Sequence, residues 1–153
     1  MPLLCISLLA LLLLPLSLSC DNKRTLKEVK NDYTVVRTVI YRANWNITNF
    51  LQKSLCPALK QRIPHCTADN VDIVSTLHNL TCKMKNLNIT ETYHLVTTVL
   101  NSVRCPCHEK PAKEPSMVLK RKNYEKKRHC KAEAILSAMT NCYQIMNTIL
   151  ADI

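Results

Sequence analysis

Residues 128–151 read RHCKAEAILSAMTNCYQIMNTILA, and this stretch decides the fold class. On a helix, successive side chains are turned by about 100°, which places the apolar residues of the stretch in one sector and the polar residues opposite them. Tyr143 lies at the edge of the apolar sector. The pattern predicts an amphipathic helix from Arg128 to Ala151, here called helix D. Its apolar sector contains Ile135, Ala138, Met139, Cys142, Met146, Ile149 and Leu150.

Three further amphipathic segments precede helix D. Helix A is predicted from Lys23 to Ala43, helix B from Asp69 to Lys85, and helix C from Asn88 or Thr90 to a stop before Pro106. A long crossover joins helices A and B, and Pro57 within it allows only a short helical piece near residues 48–55. The predicted core stripe of helix A contains Leu26, Val29, Tyr33, Val36 and Ile40.

The chain contains no glycine among its 153 residues. Hairpins of all-β folds and phosphate-binding loops depend on glycine at positions of positive φ, so both are disfavoured. Four amphipathic helices with long connections between A and B and between C and D predict an all-α fold. We expect an up-up-down-down four-helix bundle with disulfides. Residues 20–153 have the length of a single domain.

Residues 1–19 form an apolar, leucine-rich leader without a charged side chain. Ser17 and Ser19 stand at the −3 and −1 positions before Cys20, which suits a signal-peptidase site. A membrane anchor and a bacterial lipoprotein signal ending at Cys20 are the alternatives, but the apolar run is short for a span of about 20 residues, and leucine is not at −3 from the cysteine as a lipoprotein signal prefers. We therefore predict that residues 1–19 are a signal peptide and that residues 20–153 are secreted to the extracellular space.

The chain has nine cysteines, of which Cys5 lies in the leader, so an even number remains after cleavage. In a secreted domain this count indicates disulfides. The predicted topology brings the two ends of helix A beside the opposite ends of helix D, and the start of helix B beside the end of helix C. Cys82 keeps no assigned partner, because a bridge from late in helix B to Cys105 or Cys107 looks strained. The predicted pairs are Cys20–Cys142, Cys56–Cys130, and Cys66 with Cys105 or Cys107.

Three Asn-x-Thr sequons begin at Asn46, Asn79 and Asn88. Such sequons are glycosylation acceptors in secreted proteins. On helix B, Asn79 falls on the face predicted to meet solvent. We expect a glycoprotein.

Histidine and cysteine together raise the question of a zinc site, with the Cys-Pro-Cys-His run at 105–108 or His129-Cys130 as candidate ligands. Neither spacing matches a common zinc site, and a secreted chain normally oxidises such thiols. The histidines adjoin no Gly-x-Ser-x-Gly, His-Glu-x-x-His or paired-carboxylate motif. We therefore expect no metal, no cofactor and no enzymatic activity.

The formal net charge is +10, and much of it lies between Lys110 and Lys131. Such a cluster is usual in a solvated loop, and it also attracts anionic polymers, which outside the cell are sulfated glycosaminoglycans. Nucleic acid is disfavoured by secretion and by a loop whose only aromatic residue is Tyr124. The residues predicted to contact glycosaminoglycan are Lys120, Arg121, Lys122, Lys126, Lys127 and Arg128.

Three motifs resemble the interleukin-7 and thymic stromal lymphopoietin family of short-chain four-helix cytokines. They are Cys20-Asp21, the stretch LTCKMKNLNITE at 80–91 followed by His94-Leu95, and the segment 126–150 with cysteines at 130 and 142. The resemblance covers most of the chain after the leader. The family has six cysteines, so this chain has two beyond the pattern, and Tyr143 stands where the family has tryptophan.

The resemblance implies a cytokine that brings together an alpha receptor, facing helices A and C, and the common gamma chain, facing helices A and D, to stimulate survival and proliferation of lymphoid cells. We expect a monomer that does not insert into membranes. Tyr143 is the strongest candidate contact, with a place in the core as its alternative. The implied receptor-binding residues are Glu28, Asn31, Val35, Val39 and Arg42 on helix A, His94, Thr98 and Asn101 on helix C, and Tyr143, Gln144 and Asn147 on helix D.

Two other functions remain open at this point. The chain has features of another short-chain cytokine, either thymic stromal lymphopoietin-like or interleukin-4-like, since those proteins share the bundle. The basic loop also fits a secreted cationic helical protein that binds glycosaminoglycans or membranes. Salt dependence separates the last class from receptor binding, because exposed charges are screened over about 8 to 10 Å.

Overall fold

Five α-helices carry most of the residues that the computed structural model describes, which are 24–52, 54–57, 63–69, 72–108 and 121–151, with side chains described from residue 124 in the last range. These ranges contain no strand, which confirms the all-α class. None of the helices within them is both long enough and apolar enough to cross a membrane. The elements are α1 (Leu26–Asn31), α2 (Tyr33–Leu51), α3 (Ile73–Asn86), a 3-10 turn (Thr90–Thr92), α4 (Tyr93–Val103) and α5 (Arg121–Ala151).

Predicted helix A consists of two helices, α1 and α2, which meet at Asp32. The predicted end at Ala43 was wrong, because α2 continues to Leu51. Its apolar stripe continues through Ala43, Ile47 and Leu51, and all three side chains are buried. Pro57, the first proline after this stripe, comes too late to stop the helix earlier.

Predicted helices B, C and D correspond to α3, α4 and α5, and their boundaries differ. The largest difference is in α5, which begins at Arg121 where the prediction began at Arg128. The residues before Arg128 are mostly lysine, arginine and glutamate, which favour helix. Glu125 also forms an ion pair with Arg128 one turn later.

The long helices contact one another in a closed ring: α2 contacts α4 and α5, and α3 contacts the same two helices. At the start of α2, the Asp32 carboxylate accepts a hydrogen bond of 2.7 Å from Ser102 near the end of α4. Tyr33 stacks on Tyr143 in the last third of α5, with ring centroids 5.0 Å apart. Helix α2 therefore starts where α4 and α5 end. The core inside the ring includes Val36, Ile47, Leu77, Leu80, Met84, Leu95, Val99, Ile135, Met139 and Met146.

Three disulfides join the helices and their flanking segments. They are Cys56–Cys130, Cys66–Cys142 and Cys82–Cys107. The first is the predicted pair. Cys105 is also disulfide-bonded, and its partner lies outside the described residues.

The other predicted pairs were wrong. Cys142 bonds Cys66 and not Cys20, which lies outside the described residues, because the segment before α3 runs along the last third of α5. The amide of Asn141 also donates to the Cys66 carbonyl, over 3.3 Å. The strain expected for a Cys82 bridge does not arise, because the segment after α4 passes along α3, where His78 contacts Pro106 and Cys82 bonds Cys107. Cys82 and Cys107 have Cα atoms 5.6 Å apart.

Candidate binding surfaces

An open groove runs along the outside of the protein between α2 and α5. Its base is formed by Ile40 and Leu136, and its volume is about 960 Å³. Arg37 and Tyr41 line it from α2, and Gln144 lines it from α5 together with Glu133 and Ser137. We call this feature the α2/α5 groove.

Two large aromatic side chains extend from α2 into solvent beside this groove. Tyr41 is 72% exposed and Trp45, one turn later, is 59% exposed. Tyrosine and tryptophan are enriched at the centres of protein interfaces, so this exposed pair is a candidate contact for a partner. The sequence analysis missed this α2 aromatic pair. The sequence pattern that could have predicted it is the presence of two aromatic residues four positions apart, on the side of the helix opposite the core stripe.

The predicted receptor residues of helix A fall on another side of α2. Val35 is 62% exposed, and Arg42 is exposed as well. Neither lines the α2/α5 groove, because their positions on the helix turn them toward the side on which Asp32 contacts Ser102 of α4. Val39 was wrongly predicted as a contact: it is only 7% exposed and belongs to the core. The remaining predicted residues on α1 and α4 are exposed or half-exposed, namely Glu28, Asn31, His94, Thr98 and Asn101.

Tyr143, the strongest candidate contact in the sequence, is buried at 1% exposure and stacks on Tyr33. The alternative of a core position is the correct one. Burial raises the pKa of its hydroxyl above the ordinary value of 10.0, and the charges of Asp32 and Tyr33 raise it further. The hydroxyl has no hydrogen-bond partner among the residues that the structure describes. Of the three contacts predicted on helix D, Gln144 is exposed and Asn147 is half-buried.

The basic residues divide into two groups. Lys126 and Lys127 are exposed at the start of α5. Arg128 is half-buried, and its guanidinium donates to the carbonyl oxygens of Leu87 and Asn88 over 2.8 and 3.3 Å. It therefore fastens α5 to the turn between α3 and α4, which is a structural role that the glycosaminoglycan prediction did not foresee. Lys120 and the side chains of Arg121 and Lys122 lie outside the described residues.

The three sequons differ in exposure. Asn79 is exposed on α3, which confirms the face predicted for it, and Asn88 is exposed in the turn before α4. Asn88 has φ of 53°, a left-handed conformation that asparagine tolerates better than most residues. Asn46 is half-buried on α2.

One cluster has the composition of a metal site. Ligand atoms of His78, Cys82 and Cys107 lie within 4.8 Å of one another. Both sulfur atoms are joined in a disulfide and offer no thiolate to a metal ion. In the candidate His129-Cys130, the cysteine bonds Cys56 and the imidazole stacks on Phe50 with ring centroids 3.6 Å apart.

Comparison of the chain with known protein families, with curated proteins and with solved structures found no match.

Proposed function

We propose that this protein is a secreted cytokine of the interleukin-7 and thymic stromal lymphopoietin type, which brings an alpha receptor and the common gamma chain together on lymphoid cells. One observation carries the proposal. Helix α2 exposes apolar or aromatic side chains on two separate sides, with Val35 on the side of α4 and Tyr41 beside the α2/α5 groove. A protein that joins two receptors needs two such surfaces.

We propose that the helices form an up-up-down-down bundle. Support comes from the ring of contacts in which α2 and α3 each pack against α4 and α5. The Cys56–Cys130 disulfide holds the end of α2 near the start of α5, and Cys66–Cys142 holds the segment before α3 near the end of α5. Both relations make α5 antiparallel to α2 and α3. Long connections between α2 and α3 and between α4 and α5 suit this topology.

The α2/α5 groove is the surface proposed for the common gamma chain. Its rim combines Arg37 and Tyr41, with Trp45 one turn beyond. Arginine, tyrosine and tryptophan are the residues that most often dominate binding energy at protein interfaces. Gln144 supplies a polar contact from the opposite wall.

The surface proposed for the alpha receptor is formed by α1, α2 and α4. Val35 provides an apolar centre, while Arg42 and His94 provide polar groups around it. This arrangement of an apolar centre and a polar rim is common in receptor interfaces. Tyr143 and Val39 are excluded from both surfaces because they are buried.

Secretion is supported by the disulfides and by the exposed sequons at Asn79 and Asn88. If residues 1–19 are removed, Cys20 is the one cysteine that remains to bond Cys105, since every other cysteine after the leader has a described partner. We therefore propose a Cys20–Cys105 bridge in the mature protein. Peptide mapping by mass spectrometry tests it directly.

The function is tested by measuring binding of the secreted protein to alpha-receptor and common gamma chain ectodomains, separately and together. Val35→Asp is expected to weaken binding to the alpha receptor while the α2/α5 groove stays intact. Tyr41→Ala is expected to weaken recruitment of the gamma chain without affecting the alpha receptor. If neither ectodomain binds, the proposal is wrong. If both substitutions weaken the same receptor, the assignment of two surfaces is wrong.

Binding to sulfated glycosaminoglycans is a second candidate function, favoured by the exposure of Lys126 and Lys127 at the start of α5. Such binding can accompany receptor binding, because these lysines lie on neither proposed receptor surface. It depends strongly on ionic strength, whereas contacts through apolar and aromatic side chains largely persist in salt. Retention on a heparin column at increasing salt measures it.

A further inference from the structure

Of the three disulfides that the structure describes, Cys82–Cys107 is the one in which neither cysteine is buried. Both of its cysteines are half-exposed. By contrast, Cys66 and Cys142 are 2% and 0% exposed, and in the third described bridge Cys56 is half-exposed while its partner Cys130 is buried. A thiol in solution must reach a sulfur atom in order to exchange with it, so access favours reaction at Cys82–Cys107.

His78 places a hydrogen-bond donor beside one sulfur of this bridge. Its Nε2 lies 3.1 Å from the carbonyl oxygen of Pro106 and 3.4 Å from Sγ of Cys82. A carbonyl oxygen only accepts, so the short contact to Pro106 places the ring proton on Nε2. The same N–H group is then positioned to stabilise negative charge that develops on the sulfur of Cys82.

A small pocket lies beside the other sulfur. Cys107 lines it together with Lys85 at the end of α3 and Arg104 just after α4, and its volume is about 350 Å³. Both cations are exposed. A positively charged pocket of this size attracts a small anion and raises its local concentration.

We propose that Cys107 is a site of thiol–disulfide exchange with a small anionic thiol of the glutathione class. The thiol loses its proton to solvent, and its thiolate attacks Sγ of Cys107. A new sulfur–sulfur bond forms between the two while the Cys82–Cys107 bond breaks. The electron pair of the broken bond leaves as the Cys82 thiolate, next to the N–H of His78. The products are a mixed disulfide on Cys107 and a free thiolate on Cys82, with no net change in oxidation state.

Exchange at this position affects α4 more than any other helix. The bridge joins residues 25 positions apart, and the chain between them contains all of α4. Opening it frees Cys107, in the segment after α4, from the second half of α3. The α4 residues that we propose face the alpha receptor, including His94 and Asn101, are then held by packing and by the Cys105 disulfide, without the bridge to α3.

The test exposes the folded, secreted protein to reduced glutathione, traps free thiols with an alkylating reagent and maps the products by mass spectrometry. We expect glutathione on Cys107 and alkylation of Cys82, with Cys56–Cys130 and Cys66–Cys142 intact. Glutathione on Cys105, or loss of the three described bridges at equal rates, would overturn the proposal. This readout needs no receptor and stands apart from the proposed function.

Two sets of variants separate the roles of His78 and the pocket. His78→Phe keeps a ring without a donor and is expected to slow exchange about tenfold, whereas His78→Gln keeps an N–H donor and most of the rate. Lys85→Glu with Arg104→Glu is expected to slow the reaction with glutathione about threefold but not with uncharged dithiothreitol. An unchanged rate in His78→Phe, or equal slowing of both reagents by the charge reversals, would contradict the mechanism. Circular dichroism confirms that each variant is folded.

Discussion

Two pairs of aromatic residues involve the same helix, and only one of them is in the core. Tyr33, at the start of α2, stacks on Tyr143 inside the protein. Tyr41 and Trp45, two and three turns later, face solvent beside the α2/α5 groove. The first pair fastens the start of α2 to α5, while the second is free to contact a partner. An aromatic residue on such a helix therefore indicates a partner contact only when its position on the helix turns it away from the core.

The largest change in stability is expected from a substitution on the buried side of α2. Ile47→Ala removes a fully buried side chain and is expected to lower the free energy of unfolding by about 2–5 kcal/mol. It keeps the Asn46 sequon, because any residue but proline is allowed at that position. Chemical denaturation measures the loss. The exposed Val35→Ala is the matched control, and a comparable loss there would contradict the assignment of inner and outer sides.

On the outer side, Trp45→Ala is expected to weaken binding of the common gamma chain about tenfold or more, because an aromatic residue at an interface contributes a large share of the binding energy. Its free energy of unfolding should change by no more than about 0.5 kcal/mol, since the side chain is mostly exposed. Surface plasmon resonance and denaturation measure the two quantities. Tyr124→Ala, an exposed aromatic residue outside both proposed receptor surfaces, should leave the affinity unchanged.

Tyr143→Phe keeps the stacking on Tyr33 and removes the buried hydroxyl that has no described partner. We expect the free energy of unfolding to rise by about 1 kcal/mol at neutral pH, because the hydroxyl no longer has to be desolvated. Receptor affinity should not change. A large loss of gamma-chain binding in this variant would show that Tyr143 contributes to the receptor interface.

Tyr143→Phe is also expected to change how the free energy of unfolding depends on pH. Because the folded-state pKa of Tyr143 is raised, the unfolded chain releases this proton first as the pH increases. The contribution that protonated Tyr143 makes to the free energy of unfolding is complete below about pH 10. Above that pH, it is lost by about 1.4 kcal/mol per pH unit until the folded-state pKa is reached. Tyr143→Phe should lack this part of the alkaline loss. Denaturation curves on both sides of pH 10 give the comparison.

The smallest effect on folding is expected from Lys126→Glu combined with Lys127→Glu, because both side chains are exposed. The free energy of unfolding should stay within about 0.5 kcal/mol, while elution from heparin should move to distinctly lower salt. Binding of both receptor ectodomains should persist. Loss of all cell binding in this variant would favour the cationic-protein alternative over the cytokine.

Helical periodicity predicted the helices well because burial of an apolar stripe determines them. The same periodicity explains the error at Ala43, where the stripe of α2 continues to Leu51. Periodicity could not predict whether Tyr143 is buried, since a residue at the edge of an apolar sector is buried or exposed according to how the neighbouring helices pack. The disulfide partner of Cys82 was missed for a related reason. Its position beside Cys107 depends on the length of α4 and on where that helix ends against α3, which periodicity leaves undetermined.

The spacing of the disulfides has a consequence for biosynthesis. Cys66 must wait for a partner 76 positions later and Cys56 for one 74 positions later, whereas Cys82 and Cys107 are 25 apart. At about 5–20 residues per second, the ribosome adds 76 residues in about 4 to 15 s. During that interval the thiols of Cys56 and Cys66 are open to wrong partners such as Cys82, so the two long-range bridges form only after most of α5 has been synthesised.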